Sequence, residues 1–176
     1  MNWPYVAVIV VAVIGVYLSW TAGRVDRLHT RLDAARAALD AQLFRRSAVA
    51  LEVATSGMLD PATSLLVADA AHRARASGEE DREARESDLS KALVAAFPES
   101  EGTRELAGQP GAGELLAELG AACRRVDMAR RFHNDTVATT RALRSRWRVR
   151  WFRLAGRAAM PETVELDTTA PAGLPV

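Results

Sequence analysis

Three histidines, His29, His72 and His133, and one cysteine, Cys123, are the residues of this 176-residue chain best suited to bind a metal or carry a reaction. Their spacing argues against both roles. A metal site built on one helix needs a second ligand three or four residues away, and none of the histidines has another histidine or a cysteine there. His29 has Asp26 and Asp33 at neighbouring helical positions, but an imidazole between two carboxylates on a solvated face is ordinary surface pairing. His133 and Cys123 lie on one apolar seam. There a histidine reads as a core residue and a thiol as a small hydrophobe. Arg124 and Arg125 beside Cys123 would lower its pKa, yet no histidine follows at a spacing that would activate it. The glycines from Gly108 to Gly113 follow no strand, so they make no phosphate loop. The expectation is a protein that is not an enzyme and holds no metal or cofactor.

Two polar features remain. Asn134 and Asp135 interrupt the seam, where a polar side chain fixes helix register because leaving it unpaired costs on the order of 1–3 kcal/mol. That structural role is favoured over a recognition site. The stronger anomaly is Arg141 to Arg157, where seven arginines interleave with Trp147, Trp151, Phe152 and Leu154. Contact through Arg144, Arg146, Trp147, Arg148, Arg150, Trp151 and Arg153 suits an acidic partner protein or an anionic lipid leaflet. Nucleic acid is the weaker partner, because the mainly acidic stretch Glu79 to Glu101 would oppose a polyanion. The plain alternative is a bundle end with solvated arginines.

The elements that must carry these residues begin with an anchor. Asn2 to Gly23 has no charged residue and is followed by Arg24, Arg27, Arg31 and Arg36. About 20 helical residues span the roughly 30 Å core of a bilayer. Trp3, Tyr5, Tyr17 and Trp20 lie near the two ends, where aromatic rings favour the interface. A cleaved signal peptide would need a basic start and small residues before the cut; here no Lys or Arg precedes the segment, and Trp20 stands at the −3 position from Ala22. The arginines past the anchor predict a single-pass plasma-membrane protein with its N-terminus outside and the rest in the cytoplasm. One cysteine is compatible with that reducing compartment.

Residues 24–157 read as one helical domain. Val25, Leu28, Leu32, Ala35 and Leu39 make an apolar stripe at helical spacing, continued by Leu43, Ala50, Leu51, Ala54 and Met58. Gly57 and Asp60-Pro61 predict a turn. A second arm carries Leu65, Leu66, Ala68 and Ala71, then Leu89, Leu93, Val94 and Phe97, and stops at Pro98; Gly78 is a candidate break, and Asp88 a candidate cap. Glu99 to Gly113 reads as a loop, with a candidate turn at Arg104 to Ala107. The last arm, from Glu114, has the seam Leu116, Leu119, Cys123, Val126, Ala129, His133, Val137 and Thr140. The fold class is all-α: a transmembrane helix, then an antiparallel bundle of three or four long coiled-coil-like helices. Matching arm lengths favour three, which would hold Arg141 to Arg157 far from the membrane. Residues 158–176 lack a helical stripe and are expected to be disordered, although Glu162 to Asp167 alternates like a strand.

The run Ala129-Arg130-Arg131-Phe132-His133-Asn134-Asp135-Thr136-Val137 resembles the signature helix of the LemA family, Ala-Arg-Arg-x-Tyr-Asn-x-x-Val. Leu43-Phe44-Arg45-Arg46, Ala70 to Arg75 and Phe97-Pro98 are similar to further elements of that family, so the resemblance covers roughly Arg24 to Arg144. His133 stands in place of the usual tyrosine, and Ala48 to Leu51 in place of an Ile-Pro-Asn-Leu stretch. The arginine-tryptophan segment replaces the family's later elements, as in a divergent, actinobacterial-type branch. The resemblance implies a bacterial cytoplasmic helical bundle on a membrane anchor, with no established enzymatic activity to carry over. The expected role is a non-enzymatic scaffold or partner-binding module. The competing expectation is a lipid-surface sensor or membrane-organising protein acting through the Arg/Trp-rich end.

Overall fold

Helices in this chain end beside Gly57, Gly78, Pro98 and Gly108. The computed structural model describes residues 3–145 and 159–175. About 77 % of the described residues are helical and none is in a strand, so the class is all-α as expected.

Helix α1 runs from Trp3 to Thr55, followed by α2 (Pro61–Ala76), α3 (Arg82–Ala96), α4 (Glu101–Ala107) and α5 (Ala112–Arg144). After α1 the chain reverses through Gly57, whose φ of 81° lies in the left-handed region that glycine adopts without strain. Asp60 then caps α2: its Oδ1 accepts hydrogen bonds from the Ala62 and Thr63 N–H groups at 3.0 and 3.1 Å, with Pro61 at the first helical position. The turn lies where the sequence predicts it.

The second arm is not one helix. Ser77 is extended and ends α2, and α3 starts at Arg82 rather than at Asp88. Glu79, Glu80, Asp81 and Glu83 crowd the new N-terminus, where the helix dipole favours acidic residues. Helices α2 and α3 pack against each other. The loop expected over Glu99 to Gly113 contains α4, whose first turn is capped by the Ser100 hydroxyl accepting from the Thr103 N–H at 3.2 Å.

The chain divides into two compact units, Met1–Arg36 with His133–Thr163 and Ala37–Phe132 with Val164–Val176. In the first, residues near the start of α1 form a helix with a mean hydropathy of 2.2 over its most apolar window, only 7 % of which is buried. Val8, Ile9, Val11 and Val13 are all more than 60 % exposed. This helix is long and apolar enough to cross a membrane. Its later residue Ala35 is buried, as are His133, Thr136, Val137, Thr140 and Leu143 of α5.

The second unit holds the main core. Val49, Ala50 and Val53 of α1 meet Val67, Ala70 and Ala71 of α2, Leu89 and Leu93 of α3, and Leu116, Leu119 and Cys123 of α5. The buried face of α2 is therefore Val67, Ala70, Ala71 and Ala74, while Leu65 and Leu66 are 71 % and 67 % exposed. Inside this unit Arg46 is 1 % exposed and donates to Glu86 Oε2 at 2.6 Å, to the Glu86 carbonyl at 3.0 Å and to Ser90 Oγ at 2.8 Å. Burial pushes the Glu86 carboxyl above its usual range, and the attraction of Arg46 offsets only part of that.

Residues 164–175 differ most from expectation. They are not helical, yet they pack as a strap rather than standing free as a disordered tail. Leu166 joins Leu39, Leu43 and Val126 in a second apolar cluster, and Leu174 enters the main core. Two serines of α3 clasp the backbone of Asp167: Ser90 Oγ donates to its carbonyl at 2.6 Å, and its N–H donates to Ser87 Oγ at 2.9 Å. Farther on, the Gly173 N–H donates to the Phe97 carbonyl at 3.2 Å. A Cβ on Gly173 would lie 2.3 Å from the Pro98 carbonyl oxygen, so only glycine fits that approach. Composition alone misses this because the strap's partners come from α1, α3 and α5.

Candidate functional site

The strap and α5 together bound a groove of about 860 Å³ in the second unit. Helical spacing brings Ala121, Arg124, Arg125, Met128 and Arg131 to one side, and the strap supplies Thr168 and Thr169 opposite. At its centre Asp127 organises the cations. Its carboxylate accepts from the Thr168 hydroxyl at 2.7 Å and pairs with Arg130 at 3.2 Å and Arg131 at 2.8 Å. Burial alone would raise the Asp127 pKa, but these three hydrogen-bond partners outweigh it and hold the carboxyl below its usual value. Asp167 is also held low, by the hydroxyl and N–H of Thr169.

Arg124 is tied to the Pro175 carbonyl at 3.1 Å. Arg125 is exposed. Four arginines against Asp127 and Asp167 leave the groove net positive. Met128 and Phe132, one turn apart, are 61 % and 60 % exposed. This combination of arginine, methionine and an aromatic ring is common in protein contact surfaces.

The motif residues Arg130 to Asp135 fall on different sides of α5. Arg131, Phe132 and Asp135 are exposed, Arg130 and Asn134 are half-buried, and His133 is 4 % exposed. The buried polar side chains on this stretch are therefore His133, Thr136 and Thr140, not Asp135 as the register argument expects. The thiol of Cys123 is also corrected: burial pushes its pKa up, and Arg46 and Arg124 pull it down without prevailing. Among the described residues, no group of three His, Cys, Asp or Glu side chains is placed to hold a metal ion.

Of the arginine-tryptophan segment, Arg144 is described; it donates to the Ala159 carbonyl at 2.6 Å. Arg146, Trp147, Arg148, Arg150, Trp151 and Arg153 lie outside the described residues. Sequence reasoning misses Arg125, Met128, Thr168 and Asp167 as groove residues. The available signal was the alternation of Glu162 to Asp167, which puts Val164 and Leu166 on one side. Comparison of the chain with protein-family models, curated proteins and solved structures returns no match.

Proposed function

We propose that this chain is a membrane-tethered, non-enzymatic helical module of the LemA type that holds a partner protein against α5 on the cytoplasmic side of the plasma membrane. The helices are read as an antiparallel bundle carried by a single span within residues 3–23. The observation that carries the proposal is the exposed pair Met128 and Phe132, flanked by Arg125 and Arg131 beside a net-positive groove. The partner this surface fits presents apolar side chains ringed by carboxylates.

A photo-crosslinking amino acid at Met128 or Phe132, in the full chain in living cells, tests the reading. Discrete adducts are expected from both positions and none from Asp69 on the exposed face of α2. Equal, diffuse crosslinking from all three positions would count against a partner site on α5.

A second reading, lipid contact through Arg144 to Arg153, draws support from the first unit. Thr139, Ala142 and Leu143 of α5 line a groove together with Arg24, Arg27 and Arg31 of α1. The end of α5 thus lies beside the arginines that follow the apolar stretch, against the three-arm expectation that it is remote from them.

A further inference from the structure

We propose that the first turns of α1 past its apolar stretch form a binding site for the phosphodiester headgroup of an anionic membrane lipid. The inference rests on reading residues 3–23 as a membrane span, and it concerns residues of α1 rather than the arginine-tryptophan segment.

Trp20, Arg24, Arg27 and Arg31 follow one another at steps of four, three and four residues, which places them on one face of the helix. They line a groove of about 570 Å³ whose other wall is Thr139, Ala142 and Leu143 of α5. All of these residues belong to the same compact unit. The groove is amphipathic: Leu28 and Leu143 are apolar, whereas Thr139 offers a hydroxyl that can donate to a phosphate oxygen.

The pairing pattern of the arginines sets this face apart. Elsewhere most of the described guanidinium groups are engaged: Arg45, Arg46, Arg73, Arg82 and Arg131 pair with carboxylates, and Arg124, Arg141 and Arg144 donate to backbone carbonyls, whereas Arg104 and Arg125 are exceptions. Among the described residues, no carboxylate lies within ion-pair distance of Arg24, Arg27 or Arg31, although Asp26 and Asp33 are on the same helix. Three uncompensated cations converge on one groove, the electrostatic arrangement that selects an anion.

Position and shape distinguish a lipid from a soluble phosphate. Arg24 follows directly on the last uncharged residue, Gly23, and Arg31 lies about 10 Å farther along the axis. That interval covers the headgroup layer, which long arginine side chains reach readily. A second groove, of about 360 Å³, shares Trp20 and Arg27 with the first and extends back along the apolar stretch past Val16, Ser19 and Gly23. It forms an open, mainly apolar surface beside the Trp20 ring, against which an acyl chain attached to the bound headgroup would lie. A soluble phosphate ester has no use for that apolar surface.

The test uses the full chain in phosphatidylcholine nanodiscs doped with spin-labelled phosphatidylglycerol, with the motionally restricted fraction read by electron paramagnetic resonance. The wild type should restrict phosphatidylglycerol several-fold more strongly than spin-labelled phosphatidylcholine. Replacing Arg27→Gln and Arg31→Gln together should bring the restriction of phosphatidylglycerol down to that of phosphatidylcholine, with helicity unchanged by circular dichroism. Replacing Arg73→Gln and Arg104→Gln, which removes the same charge away from both grooves, should leave the preference intact. Equal loss in the two double variants would mean a diffuse charge effect, and would overturn the site. So would displacement of the labelled lipid by millimolar glycerol 3-phosphate, which would assign the groove to a soluble ligand. Alkaline carbonate extraction separates the two levels of the argument: release of the wild-type chain would sink the span and the site together. Retention without any lipid preference would sink the site alone.

Discussion

Among the described residues, Arg46 is the largest fully buried side chain, and its carboxylate partner Glu86 is 3 % exposed. A buried pair of this kind contributes little net stability, because the desolvation of both ions consumes most of their attraction. Its partial removal is a different matter. Arg46→Ala would strand Glu86 in the core and should destabilise the chain by about 3–5 kcal/mol. The double variant Arg46→Met with Glu86→Leu should recover most of that loss. Urea unfolding of the full chain in detergent, followed by circular dichroism, gives both numbers; equal destabilisation by the single and double variants would refute the argument. Arg46 belongs to the motif Leu43-Phe44-Arg45-Arg46, so the sequence singles it out. Its neighbour Arg45 instead pairs with Glu118 at the surface. Helical spacing from Leu43 and Ala50 puts Arg46 rather than Arg45 on the buried face, but its partners Ser90 and Glu86 lie some forty residues away, and no local pattern encodes them.

Among the elements, the strap is the one that pH should move. Asp127 and Asp167 both have pKa values below the ordinary 3.8 in the folded chain. A depressed folded pKa means stability that is present above about pH 4 and lost as pH falls through the folded values. Acidification should therefore loosen residues 164–170 from α5 before the main core unfolds. Amide hydrogen exchange between pH 5 and pH 2.5, corrected for intrinsic rates, should show protection falling at Asp167 earlier than at Leu119. Gly173→Ala should loosen the far end at neutral pH by forcing the backbone away from Pro98. Simultaneous loss of protection at Asp167 and Leu119 would contradict the prediction. The helices themselves are more legible than the strap. The α5 seam from Leu116 through Thr140 is buried at nearly every expected position, because a 3.6-residue period is a property of one segment. The expectation fails on α2, where Leu65 and Leu66 are exposed and alanines are buried. Close helix packing there selects small side chains over large apolar ones.

At the scale of the whole molecule, the arginines following Gly23 predict which side of a membrane the helices occupy. Leu65→Cys supplies an exposed thiol for labelling by an impermeant maleimide, while native Cys123 is 3 % exposed. Labelling in inverted vesicles but not in intact spheroplasts is the expected outcome. The opposite result would place α2 outside the cell and remove the case for a cytoplasmic partner. The apolar helix is legible because a run of uncharged residues is local to one segment of the sequence. The site on α5 was only half legible: the motif Arg130 to Asp135 is there to be read, but its partner surface is made by residues 166–170, brought in from the other side of a segment outside the described residues.

The strap also sets an order of events during synthesis. Residues 164–175 leave the ribosome after every helix they cover, so Leu39, Leu43 and Val126 must wait for Leu166 before their cluster is closed. A message truncated just before Val164 would yield a chain with the five described helices and an open apolar seam. Such a product would be a substrate for chaperones and proteases rather than a shorter working protein.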